Sequence, residues 1–183
     1  MTSLRGKFST DLIWNFGSLA VLGGAGIVIN IIIASYAGSD ALGVFNQVFA
    51  IYIFLSQICV GGVHFSLLKE VSYAQDDIEH CARICTSALA LSAIISFVIC
   101  IVSFSLTGVV ENLLDSVDVG KGLVCAIPGL IFFSLNKNLL NLLNGLQWMR
   151  AFAVFQALRF LGILIEVFVI VLVSQKSWML ALS

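Results

Sequence analysis

Long apolar runs with hardly a charge follow one another along the chain. Residues 12–37 and 84–110 carry no charge, and 44–68 none beyond whatever His64 holds. Residues 122–146 contain one cation, Lys137, and 151–173 contain Arg159 and Glu166. Each run exceeds the roughly 20 residues a helix needs to cross the hydrocarbon. The pattern predicts five transmembrane helices over these ranges, with a sixth starting near Trp178. The expected fold class is all-α, a polytopic membrane helix bundle with no soluble domain. The first run is too long for a cleaved leader, whose apolar core is about 7 to 15 residues. It is read as the first span.

Composition agrees with the pattern. Of 183 residues, 60% are hydrophobic and 10% charged, whereas a soluble domain carries roughly 25% charged residues. A net charge of -1 gives no footing for nucleic acid, and no cofactor motif is present. Cysteines 59, 81, 85, 100 and 125 are odd in number, and three stand in apolar runs, so no disulfide framework is expected. Cys81 and Cys85 lie four apart beside His80. A tetrahedral metal site needs more ligands than these, and helical spacing accounts for the two cysteines equally well.

Basic residues flanking the spans set the expected orientation. Arg5, Lys7, Lys69, Arg83 and Arg150 fall on one side, against Lys121 and Lys176 on the other. That bias places the amino terminus in the cytoplasm. The acidic residues 70, 76, 77 and 79 of the loop after span 2 count little in this rule. Gly38, Ser39 and Asp40 are read as a tight turn with an amino-terminal cap for helix 2. Gly17, Gly23, Gly24 and Gly26 in span 1 are read mainly as close-packing positions.

Charges inside the membrane carry the functional signal. Each costs at least about 2.5 kcal/mol at the bilayer centre and faces a bundle interior or a wet cavity. Lys137 lies roughly 14 Å along its helix from the turn near Gln147, and Arg159 roughly 13 Å from the same turn on the next helix. The two cations therefore share a depth. Ser134, Lys137, Asn141 and Asn144 recur at three- and four-residue steps, a polar stripe along span 4. Gln156, Arg159 and Glu166 repeat the pattern on span 5. Snorkelling and structural ion pairing are the bland alternatives, but Glu166 lies about 10 Å along the axis from Arg159. A hydrated groove with a cationic cytoplasmic half follows, suited to a pyrophosphate and its many acceptor oxygens. Pro128, about two turns before Lys137, removes a backbone hydrogen bond and permits a kink that is either a hinge or static.

Two stretches carry a family resemblance. "IIIASYAGSDALGVFNQVFAIYIFLSQICVGGVHFSLLKEVS", with Gly38, Gly43, Gly61 or Gly62, and Lys69, resembles the early segment of Wzx-type O-antigen and polysaccharide flippases. "IPGLIFFSLNKNLLNLLNGLQWMRAFAVFQALRFLGILIEV" is similar to that family's spans 4 and 5, with a proline, an Asn-rich stretch, a glycine turn and a basic residue. The similarity covers about residues 5 to 175 as a pattern of glycines, charges and span lengths. It implies the multidrug, oligosaccharidyl-lipid and polysaccharide exporter superfamily, whose members pair two six-helix bundles around a central cavity, and so a partial MATE-like bundle here. The implied activity is transport in lipopolysaccharide or other polysaccharide biosynthesis: an undecaprenyl-pyrophosphate-linked oligosaccharide crosses the bacterial inner membrane, with Lys137 and Arg159 lining the path and Glu166 coupling an ion or proton. The chain stops inside its sixth helix, so the implied partners are the lipid-linked substrate, the bilayer and a missing carboxy-terminal half.

Other readings remain. A drug or cation antiporter of the same superfamily would want acidic groups in the cavity, and only Glu166 fits. An assembly partner with no transport role would tolerate loss of all three charges. A membrane glycosyltransferase or polymerase would need a metal-binding or proton-moving cluster; Glu111, Asp115 and Asp118, or Asp76, Asp77 and Glu79, read instead as solvated loop charge. The chain is accordingly expected not to be an enzyme. The orientation is checked by epitope insertion in intact cells: a tag between Asp76 and Asp77 is expected to be reached from the cytoplasmic face only, and one at Asp118 from the opposite face only.

Overall fold

A computed structural model describes residues 2–173, and side chains from 13 to 169 except 15 and 18. The expected sixth span near Trp178 lies outside the described residues. The elements are α1 (Thr2–Tyr36), α2 (Gly38–Val60), α3 (Val63–Tyr73), α4 (Ile78–Leu114), α5 (Val117–Ala126), α6 (Gly129–Gly145) and α7 (Met149–Val173). No strand occurs among the described residues. Four helical segments are long and apolar enough to cross a membrane: Leu19–Tyr36, Gly38–Val60, Ile78–Leu114 and Met149–Val169. Helices α5 and α6 pass the same test together but meet at a 46° bend, so the count is four, or five with the bent pair as one span. Large apolar side chains such as Phe54, Phe97, Phe132 and Ile165 are exposed, as lipid-facing positions should be.

Local chemistry explains the breaks. The second span departs from its expected 44–68 range: Gly61 (φ 52°) and Gly62 (φ 79°) adopt left-handed backbone that terminates α2, and His64 through Leu68 belong to the separate helix α3. Glycine alone takes such angles without a Cβ penalty. The expected cap on α2 is also corrected. Its N-cap position is Ala37, which has no side-chain bond, while the Ser39 hydroxyl donates to Asp40 Oδ1 at 3.4 Å within the first turn. Asp40 lies in the first turn, where a carboxylate complements the helix dipole. The third span outruns 84–110 at both ends; with 37 residues it is about 55 Å long and overhangs a hydrocarbon layer of about 30 Å. Asp77 caps it, accepting from the His80 amide at 2.9 Å. Pro128 stands at the bend between α5 and α6, where its missing N–H interrupts the ladder.

Two apolar clusters sit at opposite ends of the bundle. Ile29 and Ile33 of α1, Ala41 of α2 and Val167 of α7 form one. Leu67 and Val71 of α3 with Cys81, Cys85 and Ala88 of α4 form the other, packed against Leu142 and Leu146. The two cysteines thus serve as core hydrophobes. Helix α1 makes its main contact with α7. Ile29 and Ile33 pack with Val167 there. Among the described residues a Cβ built on Gly17, Gly23, Gly24 or Gly26 meets nothing within 4 Å, so no close contact is made at these glycines by the described residues.

Helix α6 is central, touching α2, α3, α4 and α7. Its last residue is pressed against α3: a Cβ on Gly145 would lie 2.9 Å from Val71 Cγ1 and 3.1 Å from the Leu68 carbonyl oxygen. The Gln75 amide donates to the Gly145 carbonyl at 2.9 Å, tying the same place to the α3–α4 loop. Gly145→Ala is expected to cost about 1–3 kcal/mol through overpacking, read by reversible unfolding in mixed micelles. Adding Val71→Ala should recover part of that loss.

Candidate functional site

Between the two apolar ends lies a polar layer, and its organisation begins with the rotation of α6. Ser134 and Asn138 stand one turn apart and are both fully buried. They face Ser96 and Ser92, likewise one turn apart on the antiparallel α4. The Ser134 and Ser96 hydroxyls bond at 2.6 Å, and Asn138 Nδ2 donates to Ser92 Oγ at 2.7 Å. Ser96 also donates to the Ser92 carbonyl at 2.6 Å. Such bonds are worth about 0.6 to 2 kcal/mol each between membrane helices, and they set which face of α6 looks at α4.

Lys137 is one residue from Asn138, about 100° around the helix, so it cannot share that face. It is half-buried and acts electrostatically on Arg159 of α7 and on His64 of α3. The Arg159 guanidinium carbon lies 4.5 Å from the centroid of Phe160 and 5.9 Å from that of Phe133. Cation–π contact of this kind stabilises a desolvated guanidinium by about 2 kcal/mol. Tyr52 of α2 meets Phe133 edge-on, with centroids 6.1 Å apart, and its hydroxyl is electrostatically coupled to Arg159. His64, Lys137 and Arg159 stand ten residues from Ala74, Gln147 and Met149 respectively, about 15 Å from one end of the bundle along three helices.

The polar valences of this layer are incompletely used. Arg159 Nε, His64 Nδ1 and Asn138 Oδ1 are buried without a hydrogen-bond partner. No carboxylate among the described residues forms an ion pair with Lys137 or Arg159. Positive charge is therefore concentrated where burial makes every uncompensated charge costly.

The predicted residues are sorted by this geometry. Lys137 and Arg159 come together across α6 and α7. The expected single stripe on α6 splits: Ser134 is spent on α4, whereas Lys137, Asn141 and Asn144 are half-buried. Asn141 Nδ2 donates to the Lys137 carbonyl at 2.8 Å, so that donor is used within the helix. Asn144 lies at the α6–α7 turn, where its carbonyl accepts from the Gln147 amide at 3.0 Å. Gln156 is half-buried on α7, one turn before Arg159. Glu166 is exposed, nearly two turns beyond Arg159, and pairs with neither cation. His80 is exposed while Cys81 and Cys85 are buried, so those three do not converge. Sequence reasoning missed Tyr52, Phe133 and Phe160 around the guanidinium. Among uniformly apolar neighbours an aromatic ring gives no signal until the helices are placed. It also missed Asn138 with Ser92 and Ser96, although the matched four-residue spacings were visible.

Chemically, the arrangement offers an ammonium, a guanidinium, an imidazole and a phenol at one level, a donor-rich setting for an anion. Comparison with protein-family models, with curated proteins and with solved structures yields no match. Asn138→Ala is expected to lower stability by about 1–2 kcal/mol, since it strands the buried Ser92 hydroxyl. Glu166→Gln, at an exposed position, should stay within about 0.5 kcal/mol; the same micelle unfolding measurement checks both.

Proposed function

We propose that this chain acts in moving an undecaprenyl-pyrophosphate-linked oligosaccharide from the cytoplasmic to the outer leaflet of a bacterial inner membrane, with Lys137 and Arg159 holding the pyrophosphate. One observation supports the reading above the rest: the two cations lie within electrostatic range of each other on adjacent helices, and no acidic partner among the described residues joins them. A charge inserted at mid-bilayer costs about 2.5–3.5 kcal/mol on the insertion scale. Two together, without a counter-charge, favour an anion that arrives and leaves. A lipid-linked anion suits the surroundings, because its apolar tail stays in the bilayer while its head group enters from the cytoplasmic end.

The polar layer suits binding and release. Lys137 and Arg159 offer an anion charge-assisted donors. Phe133, Phe160 and Tyr52 keep the guanidinium in place when the site is free, so the anion meets a preorganised group. The bend at Pro128 divides the fourth span just where the layer begins, which suits a carrier whose two ends open in turn. The rival antiporter of drugs or cations calls for a carboxylate in the layer, and the exposed Glu166 does not favour it.

Lys137→Ala and Arg159→Ala, introduced into the full gene at matched protein level, are each expected to reduce surface polysaccharide by at least about tenfold. That is the loss of one charge-assisted bond of about 1.5–3 kcal/mol. In proteoliposomes, leaflet exchange of a fluorescent lipid-linked pyrophosphate sugar should fall in parallel. Uptake of free pyrophosphate should be negligible throughout. Unchanged export and exchange in both variants would overturn the anion path.

A further inference from the structure

A third titratable side chain, the His64 imidazole, stands at the level of the two cations. His64 is buried on α3, its Nδ1 has no hydrogen-bond partner, and Lys137 acts on it across the α3–α6 contact. Close packing of α3 on α6 is independently shown by Gly145 against Val71 and Leu68. Gly145 and Lys137 are eight residues apart on α6, and Val71 and His64 seven apart on α3. The two helices therefore run side by side in the same direction, and the cationic pair of positions falls about 11 Å, or two turns, from the packed glycine.

The other titratable groups around the imidazole leave Lys137 as its electrostatic neighbour. On α4, Cys81 and Cys85 are buried in the apolar cluster with Leu67. Cys59 lies buried at the end of α2, and Lys69 and Glu70 of α3 itself are exposed. None of these is among the charges that act on His64, whereas Lys137 is.

We propose that His64 is a third ligand of the anion and takes up a proton as the anion binds, which links the affinity of the site to pH. The proposal rests on the anion site described above and gives it a proton-linked group. Two positive charges side by side repel, and an anion seated between them removes that repulsion. Imidazole is the side chain of the trio whose ordinary pKa lies nearest neutrality. The free Nδ1 gives the proton or the ligand oxygen a place without breaking an existing bond. Glu166, the coupling group expected from the resemblance, is exposed and apart from the cations, whereas His64 is beside one of them.

The test uses the full chain in detergent micelles and inorganic pyrophosphate as the probe, with calorimetric affinities at about pH 6 and about pH 8, either side of the ordinary imidazole range. Wild-type affinity should rise on acidification more steeply than that of His64→Gln, by up to about tenfold per pH unit for one linked proton. The probe's own titration is common to both proteins and cancels in the comparison. Parallel slopes would overturn the proton link and leave the Lys137–Arg159 site standing. Absence of pyrophosphate binding by the wild type at both pH values would overturn the site and the link together. Should His64→Gln not fold, the exposed His80 is replaced by Gln instead, which leaves His64 the single histidine of the chain. Its imidazole titration, followed by NMR, should move to higher pH when pyrophosphate binds, and an unmoved titration would overturn the proton link.

Discussion

In a hydrocarbon surround polar groups find partners only within the protein or in trapped water, and here the bonds that α6 makes to α4 fix its azimuth. Ser134 and Asn138 are bonded to Ser96 and Ser92. Once that face is committed to α4, the next positions around the cylinder are determined. Lys137 must look toward α3 and α7, where His64 and Arg159 stand. The cationic layer is thus a geometric result of a neutral hydrogen-bonded seam, and the seam has no charge of its own.

The ends of the bundle serve the middle. Interlocked apolar side chains at each end, around Ile33 and Val167 and around Leu67 and Val71, hold the helices at the spacing the polar layer requires. The Arg159 guanidinium is kept among Phe133, Phe160 and Tyr52, and no carboxylate among the described residues pairs with it. A carboxylate would neutralise it; aromatic faces steady it and leave its charge available.

Much of this was legible in the amino-acid order. Charge-free runs announced the long helices, and Lys137 and Arg159 declared themselves because a charge stands out against an apolar background. Pro128 marked the bend, since a missing N–H acts locally. What could not be read depended on tertiary contact. The glycine pair at 61 and 62 looked like continuous span because small residues are ordinary inside membrane helices, whereas their positive φ angles end α2. The four glycines of span 1 looked like a packing face, yet among the described residues the α1–α7 contact is made by branched side chains, Ile29 and Ile33 with Val167. Ser134 fitted a polar stripe by spacing, but spacing within one helix does not say which neighbour claims a hydroxyl.

The interruption at Gly61 and Gly62 has a mechanical corollary. Helical rods carry torque along their hydrogen-bond ladder, and that ladder stops at these two residues. Turning α3 about its own axis therefore need not wind or unwind α2; the twist is absorbed in a pair of backbone joints that bear no side chain. The short rod carrying His64 is, in effect, geared to α6 by its tight seat at Gly145 and uncoupled from the span that precedes it.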